Sequence, residues 1–135
     1  DRHYRIGAAH LPFDDASYVH AVFAGQGVGL RPYAPVHLQA VADGDVAVSW
    51  VRRTRVEGDV WLSYEVPLGE DREAYLVRVS SDGTVLREVE VPAPEFTYTT
   101  AMQATDGASG VIDFDVAQIS DRFGVGPYSR GTVNV

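Results

Sequence analysis

Four histidines, His3, His10, His20 and His37, are scattered along the chain. None falls in a His-x-His or His-Glu-x-x-His spacing, the patterns that bring two imidazoles to one zinc ion. Carboxylates are denser. Glu65, Glu70, Asp71 and Glu73 crowd one stretch, and Asp106, Asp113 and Asp115 another. A carboxylate pair held ~5–10 Å apart can cleave a glycosidic bond when an apolar pocket raises one of the two pKa values. The first cluster sits in a predicted loop with no such pocket evident, so a solvated face is expected. The second offers the oxygen ligands that calcium takes, without EF-hand spacing. A Gly-x-Ser-x-Gly elbow is absent from the sequence, which weighs against a serine hydrolase. Gly25, Gly27 and Gly29 carry no Lys-Ser/Thr after them, so they read as linker punctuation rather than a phosphate loop. With no cysteine, thiol, disulfide and zinc-thiolate chemistry are excluded. The expectation is a protein without catalysis, cofactor or metal.

What remains is recognition. Arg52, Arg53 and Arg55 put three cations into four residues directly after Trp50. They can pair internally with the Glu65–Glu73 stretch, where exposed pairs add about 0–1 kcal/mol each. They can also face an acidic partner, which the flat, bidentate guanidinium suits. Trp61 and Tyr64 follow in the same connection. They read as a flap packed on the sheet edge, or as an exposed aromatic binding tip. Arg52, Arg53, Arg55, Trp61 and Tyr64 are therefore the candidate surface-binding residues. The chain carries 11 basic and 19 acidic residues, a net charge of -8. Such a field repels a nucleic-acid backbone. No run of ~18 apolar residues is present to span a membrane as a helix.

The elements that must hold these residues are strands. Val46, Val48 and Trp50 alternate with Ala47, Ser49 and Val51, the period of a half-buried strand. The preceding run puts Val36, Leu38 and Ala40 on one face and His37 on the other. Asp43-Gly44-Asp45 joins the two runs into a hairpin. A second hairpin is centred on Asp82-Gly83: Tyr75, Val77 and Val79 lead in, and Val85, Arg87, Val89 and Val91 lead out on one side, with Leu86 on the other. Pro92 and Pro94 end it. Phe96 and Tyr98 mark a short strand, and residues 101–104 one helical turn. Ile112, Phe114 and Val116 face inward in the next strand, with Asp113 and Asp115 outward. Residues 128–135 form the last. This predicts an all-β sandwich of about seven strands over residues 35–135. Residues 1–34, with weaker alternation, read as a linker or the tail of a preceding domain, and the Asp1-Arg2-His3-Tyr4 start reads as the interior of a longer polypeptide.

The strand order resembles a fibronectin type III module, an immunoglobulin-like sandwich. Val46-Ala47-Val48-Ser49-Trp50 is similar to that family's Trp-bearing strand. The 112–120 strand followed by Gly124 resembles its penultimate strand, except that Ile112 stands where the family places a tyrosine. A more specific set of motifs runs in order through residues 29–135: Arg31-Pro32, Pro35-Val36-His37-Leu38, Ser49-Trp50-Val51-Arg52-Arg53-Thr54-Arg55, Gly58-Asp59-Val60-Trp61, Val66-Pro67-Leu68-Gly69-Glu70 and Val116-Ala117-Gln118-Ile119-Ser120. Together they resemble the C-terminal part of the large tail-tip protein (host specificity or baseplate hub protein) of gene transfer agents and related siphophages. The resemblance implies a virion structural protein, made in the bacterial cytoplasm and placed at the distal tail. Its partners would be other tail and baseplate proteins, in several copies per particle. The alternative expectation is a carbohydrate-binding module that contacts cell-surface polysaccharide through Trp61 and Tyr64.

Overall fold

The computed structural model describes residues 1–58 and 66–135. In chain order its strands are β1 (Arg2–Ile6), β2 (Val19–Phe23), β3 (Val36–Asp43), β4 (Asp45–Val51), β5 (Tyr75–Ser81), β6 (Thr84–Val91), β7 (Glu95–Tyr98), β8 (Val111–Ser120), β9 (Gly124–Val125) and β10 (Ser129–Asn134). A single α-helix among the described residues, α1 (Thr100–Asp106), joins β7 to β8.

One sheet has the order β3-β4-β7, and the other runs β10-β8-β5-β6 with β9 attached to β8. All pairings are antiparallel. Leaving aside the two-residue β9, residues 35–135 contribute seven strands to two facing sheets. This is a fibronectin type III-like β-sandwich. The inward residues are those the alternation marks. Val46, Val48 and Trp50 from β4 meet Tyr75, Val77 and Val79 from β5 and Ile112, Phe114 and Val116 from β8, all buried. Trp50 meets Tyr75 edge-on at 5.2 Å between ring centroids, and Tyr98 meets Phe114 the same way at 5.9 Å. Such T-shaped pairs add to the area they bury.

Both predicted hairpins are present. Asp82 and Gly83 take φ of 49° and 78°, two positive values that suit the twist of the flanking strands. Three local expectations need correction. A register shift between Val79 and Ser80 opens a bulge in the β5–β6 ladder. It turns Leu86 onto the core and leaves Val85 exposed, reversing the expected faces there. Asp115, expected to face outward, is on the face opposite the core residues of β8 but is buried there, because β8 lies between β5 and β10 and the Arg130 guanidinium covers its carboxylate. The expected single turn at 101–104 is a seven-residue helix. Thr99 caps it by accepting from the Met102 N–H, and Gly107 ends it at φ 65°.

Residues 1–34 hold their own two-stranded antiparallel sheet, with β1 pairing β2 from Arg2↔Phe23 to Ile6↔Val19. The connection between them is tied by the Tyr18 hydroxyl, which donates toward the carbonyls of Ala8 and Leu11 at 2.9 and 3.1 Å.

Candidate functional site

The chain leaves β4 at Val51, and the next four residues turn along one end of the sandwich. Arg52 is the anchor. Its guanidinium donates to the carbonyls of Val66 (2.7 Å) and Pro67 (3.0 Å), and its Nε lies 4.0 Å from Glu73. The rigid planar fork holds two successive carbonyls in fixed geometry, with less ordering cost per bond than a flexible ammonium. Glu73 in turn accepts from the Tyr75 hydroxyl at 2.7 Å. Burial, followed by the Glu73 carboxylate, pushes the Tyr75 phenol well above its usual range. Arg55 reaches Glu70 at 2.7 Å in a pair that is mostly shielded from solvent, and its guanidinium lies 5.5 Å from the Phe123 ring centroid. Gly69, at φ 72°, sits where a Cβ would come within 3.2 Å of the Thr54 hydroxyl. The stretch from Val66 to Glu73 is therefore fastened to the arginine run by charge, by carbonyls and by close packing.

Arg53 differs. It is exposed, and its guanidinium lies 4.9 Å from the Tyr33 ring centroid. Among the described residues no carboxylate lies within ion-pair distance of it. Tyr33, Arg52, Arg53, Thr54, Gly58 and Val66 line an open cleft of about 450 Å³. A cation over an aromatic face presents both a charge and a flat apolar surface, the two features that recognise acidic or ring-shaped groups.

Of the five residues the sequence singles out, Arg52 and Arg55 are engaged within the chain and Arg53 faces the cleft. Trp61 and Tyr64 lie outside the described residues, as does Glu65 of the acidic cluster. Sequence reasoning missed Tyr33, which lies in the stretch taken for a linker. An aromatic between Pro32 and Pro35, in backbone stiffened by the prolines, was the available signal.

The carboxylates weighed for calcium are held by arginines. Asp113 and Asp115 share Arg130, and Asp106 accepts a bidentate pair from Arg87 plus the Tyr98 hydroxyl at 2.9 Å. Arg87 holds the Asp106 carboxyl below its usual range, with the Tyr98 hydroxyl helping. Burial, then Asp106, pushes the Tyr98 phenol up to about 12. The four histidines, dispersed in sequence, include one pair in contact, His3 and His20.

No family model and no curated protein matches the chain. Solved structures do. The chain is similar to domains d3-d4 of the rat CD45 extracellular region, with a TM-score of 0.54 and 13% identity over 99% of this chain. It spans 64% of that chain's length. A myokine structure gives a TM-score of 0.49 at 16% identity, over 77% of this chain and 97% of that one. The Clostridium perfringens spore cortex lytic enzyme SleM gives 0.47 at 12%, over 77% of this chain and 28% of that one. The CD45 likeness is one of fold, and agrees with the fibronectin type III-like sandwich built above from strand order.

Proposed function

We propose that this chain is a non-catalytic structural and interaction module of a phage-like, gene-transfer-agent tail tip, bound to other tail or baseplate proteins and contributing to contact with the host surface. One observation supports this reading above the others. Most of the motifs that carry the resemblance to tail-tip proteins are dispersed in sequence, yet several meet at one end of the fold. Arg53 of the Ser49–Arg55 motif lies over Tyr33, the neighbour of Arg31-Pro32. Arg52 and Arg55 bind Val66, Pro67 and Glu70 of the Val66–Glu70 motif. Gly126 passes so close to the Pro32 carbonyl that a Cβ there would lie 2.7 Å from its oxygen, and the Gly126 N–H donates to the Gln118 carbonyl at 2.9 Å. Trp50 and Val116 of these motifs serve the core, whereas their polar and turn residues gather at one end, which fits a surface the module uses as well as folds.

The test is the structure of the assembled particle with this segment in place. Density for the sandwich at the distal tail, packed on neighbouring subunits, is the expected result. A second reading has its own observation, the open cleft with Arg53 over Tyr33. In it the module binds an acidic cell-surface glycan. If the segment is absent from the particle and the isolated chain is retained by a glycan array through Arg53 and Tyr33, the tail-tip reading fails and glycan binding replaces it. Fold alone chooses neither, since sandwiches of this kind host many roles.

A further inference from the structure

We propose that His3 and His20 form a two-imidazole site for a first-row divalent cation of the zinc class on the polar face of the β1–β2 hairpin. The register Arg2↔Phe23 through Ile6↔Val19 divides the hairpin into two faces. Tyr4, Ile6, Val19, Ala21 and Phe23 share one, and His3, Arg5, His20 and Val22 share the other. On that second face His3 and His20 are diagonal neighbours, within reach of each other across the ladder. His3 Nδ1 and His20 Nε2 are 3.0 Å apart. The ring centroids are 5.2 Å apart and the planes differ by 7°. The nitrogens thus lie between the centroids, so the rings meet edge to edge, each offering a ring nitrogen to the same point.

That geometry suits a chelate. Two Zn–N bonds of about 2.0–2.1 Å at a tetrahedral angle place their nitrogens roughly 3.3 Å apart. Reaching it from the present arrangement means parting the nitrogens slightly and tilting both rings, now aimed nearly at each other along the N···N line, toward one side. The cation needs two neutral acceptor nitrogens, whereas the pair now shares one N–H···N bond. Binding therefore moves that proton to the far nitrogen of its own ring and releases none from the neutral pair. His3 then carries its proton on Nε2 and His20 on Nδ1. Water fills the remaining positions, as both rings are exposed. Arg5 stands opposite His20 in the register and opposes the cation electrostatically, but its guanidinium is turned to the Phe13 carbonyl at 2.7 Å. The bound ion would clip β1 to β2 across the intervening loop. A two-stranded hairpin is marginal by itself, so the clip would order it.

The experiment is calorimetric titration of the chain with zinc chloride near neutral pH, with the terminal amino group acetylated so that it cannot chelate beside His3. One equivalent is expected to bind. His3→Phe and His20→Phe, which keep a ring and a strand-forming residue at each position, should each weaken binding at least tenfold. His10→Phe and His37→Phe should leave it unchanged. In NMR spectra of the unsubstituted chain, zinc should shift the ring signals of His3 and His20 together and slow amide exchange in β1 and β2. Absence of zinc binding, or binding that survives His20→Phe, overturns the proposal. So do ring shifts confined to one histidine.

Discussion

At the scale of single residues, the arginines after β4 carry different loads. Arg52 bonds two carbonyls and faces Glu73 while largely shielded from water. Hydrogen bonds from a charged donor contribute about 1.5–3 kcal/mol where they are buried. Arg52→Ala should therefore lower the urea unfolding free energy by about 2 kcal/mol, and Arg52→Lys should recover less than half, because the ammonium lacks the fork. Arg53→Ala should change stability by no more than ~1 kcal/mol, the range of an exposed cation–π contact, and should reduce capture by whichever partner occupies the cleft. A second residue-scale prediction concerns pH. Asp106 has a lowered folded pKa, so its pair with Arg87 contributes fully above the unfolded value of 3.8 and fades as pH falls through the folded value. Tyr98 runs the other way. Its folded pKa is raised from 10.0 to about 12, so its contribution is complete below pH 10 and is lost between about 10 and 12. Tyr98→Phe should remove its share of the alkaline loss, and Asp106→Asn its share of the acid loss, in chemical denaturation repeated across pH.

At the scale of elements, the turn and the central strand are the sensitive places. Gly83 stands at φ 78°, where an L side chain is strained. Gly83→Val should cost about 1–2 kcal/mol and slow hairpin closure. Phe114→Ala in β8 should cost ~3–5 kcal/mol, since it opens a cavity between Tyr98 and the rest of the core. Comparing the two variants by unfolding midpoint and slope separates turn strain from core loss. The same elements show what could be read beforehand. Val46-Ala47-Val48-Ser49-Trp50 and Tyr75-Leu76-Val77-Arg78-Val79 announce their faces because period-two alternation is a local signal, and Asp82-Gly83 announces its turn because positive φ restricts composition. The Val85/Leu86 reversal was not legible, because a bulge depends on the partner strand as much as on its own sequence. Nor was the burial of Asp115, which follows from β8 lying between β5 and β10 rather than from the residues around it. Tyr33 and Pro32 were hidden for the same reason: their partners, Arg53 and Gly126, are remote in sequence.

At the scale of the whole molecule, those remote contacts decide where the sandwich begins. The ring contacts of the first segment stay within it: Tyr4 with Phe23, Phe13 with Tyr18, His3 with His20. From Pro32 onward the contacts cross into the sandwich. Tyr33 lies under Arg53, the Pro32 carbonyl lies against Gly126, and Ser129 donates to the Pro35 carbonyl. Val28, Gly29, Arg31, Pro32 and Tyr33 also line an apolar hollow of about 210 Å³ closed by Gly126 and Pro127. The folding unit should therefore start upstream of residue 35. Removing residues 1–24 should shift the unfolding free energy of the remainder by less than ~0.5 kcal/mol, as for surface changes that touch no core feature. Removing residues 1–34 should cost about 1–3 kcal/mol, since it strips the aromatic from beneath Arg53 and opens the 118–127 corner to water. Urea unfolding of the two truncations beside the full chain measures this directly. Equal stability of both would mean that the 28–34 segment only rests on the sandwich. The cleft at Arg53 would then lose its aromatic wall without cost to the fold, and any partner that needs that wall would have to supply the energy that holds it in place.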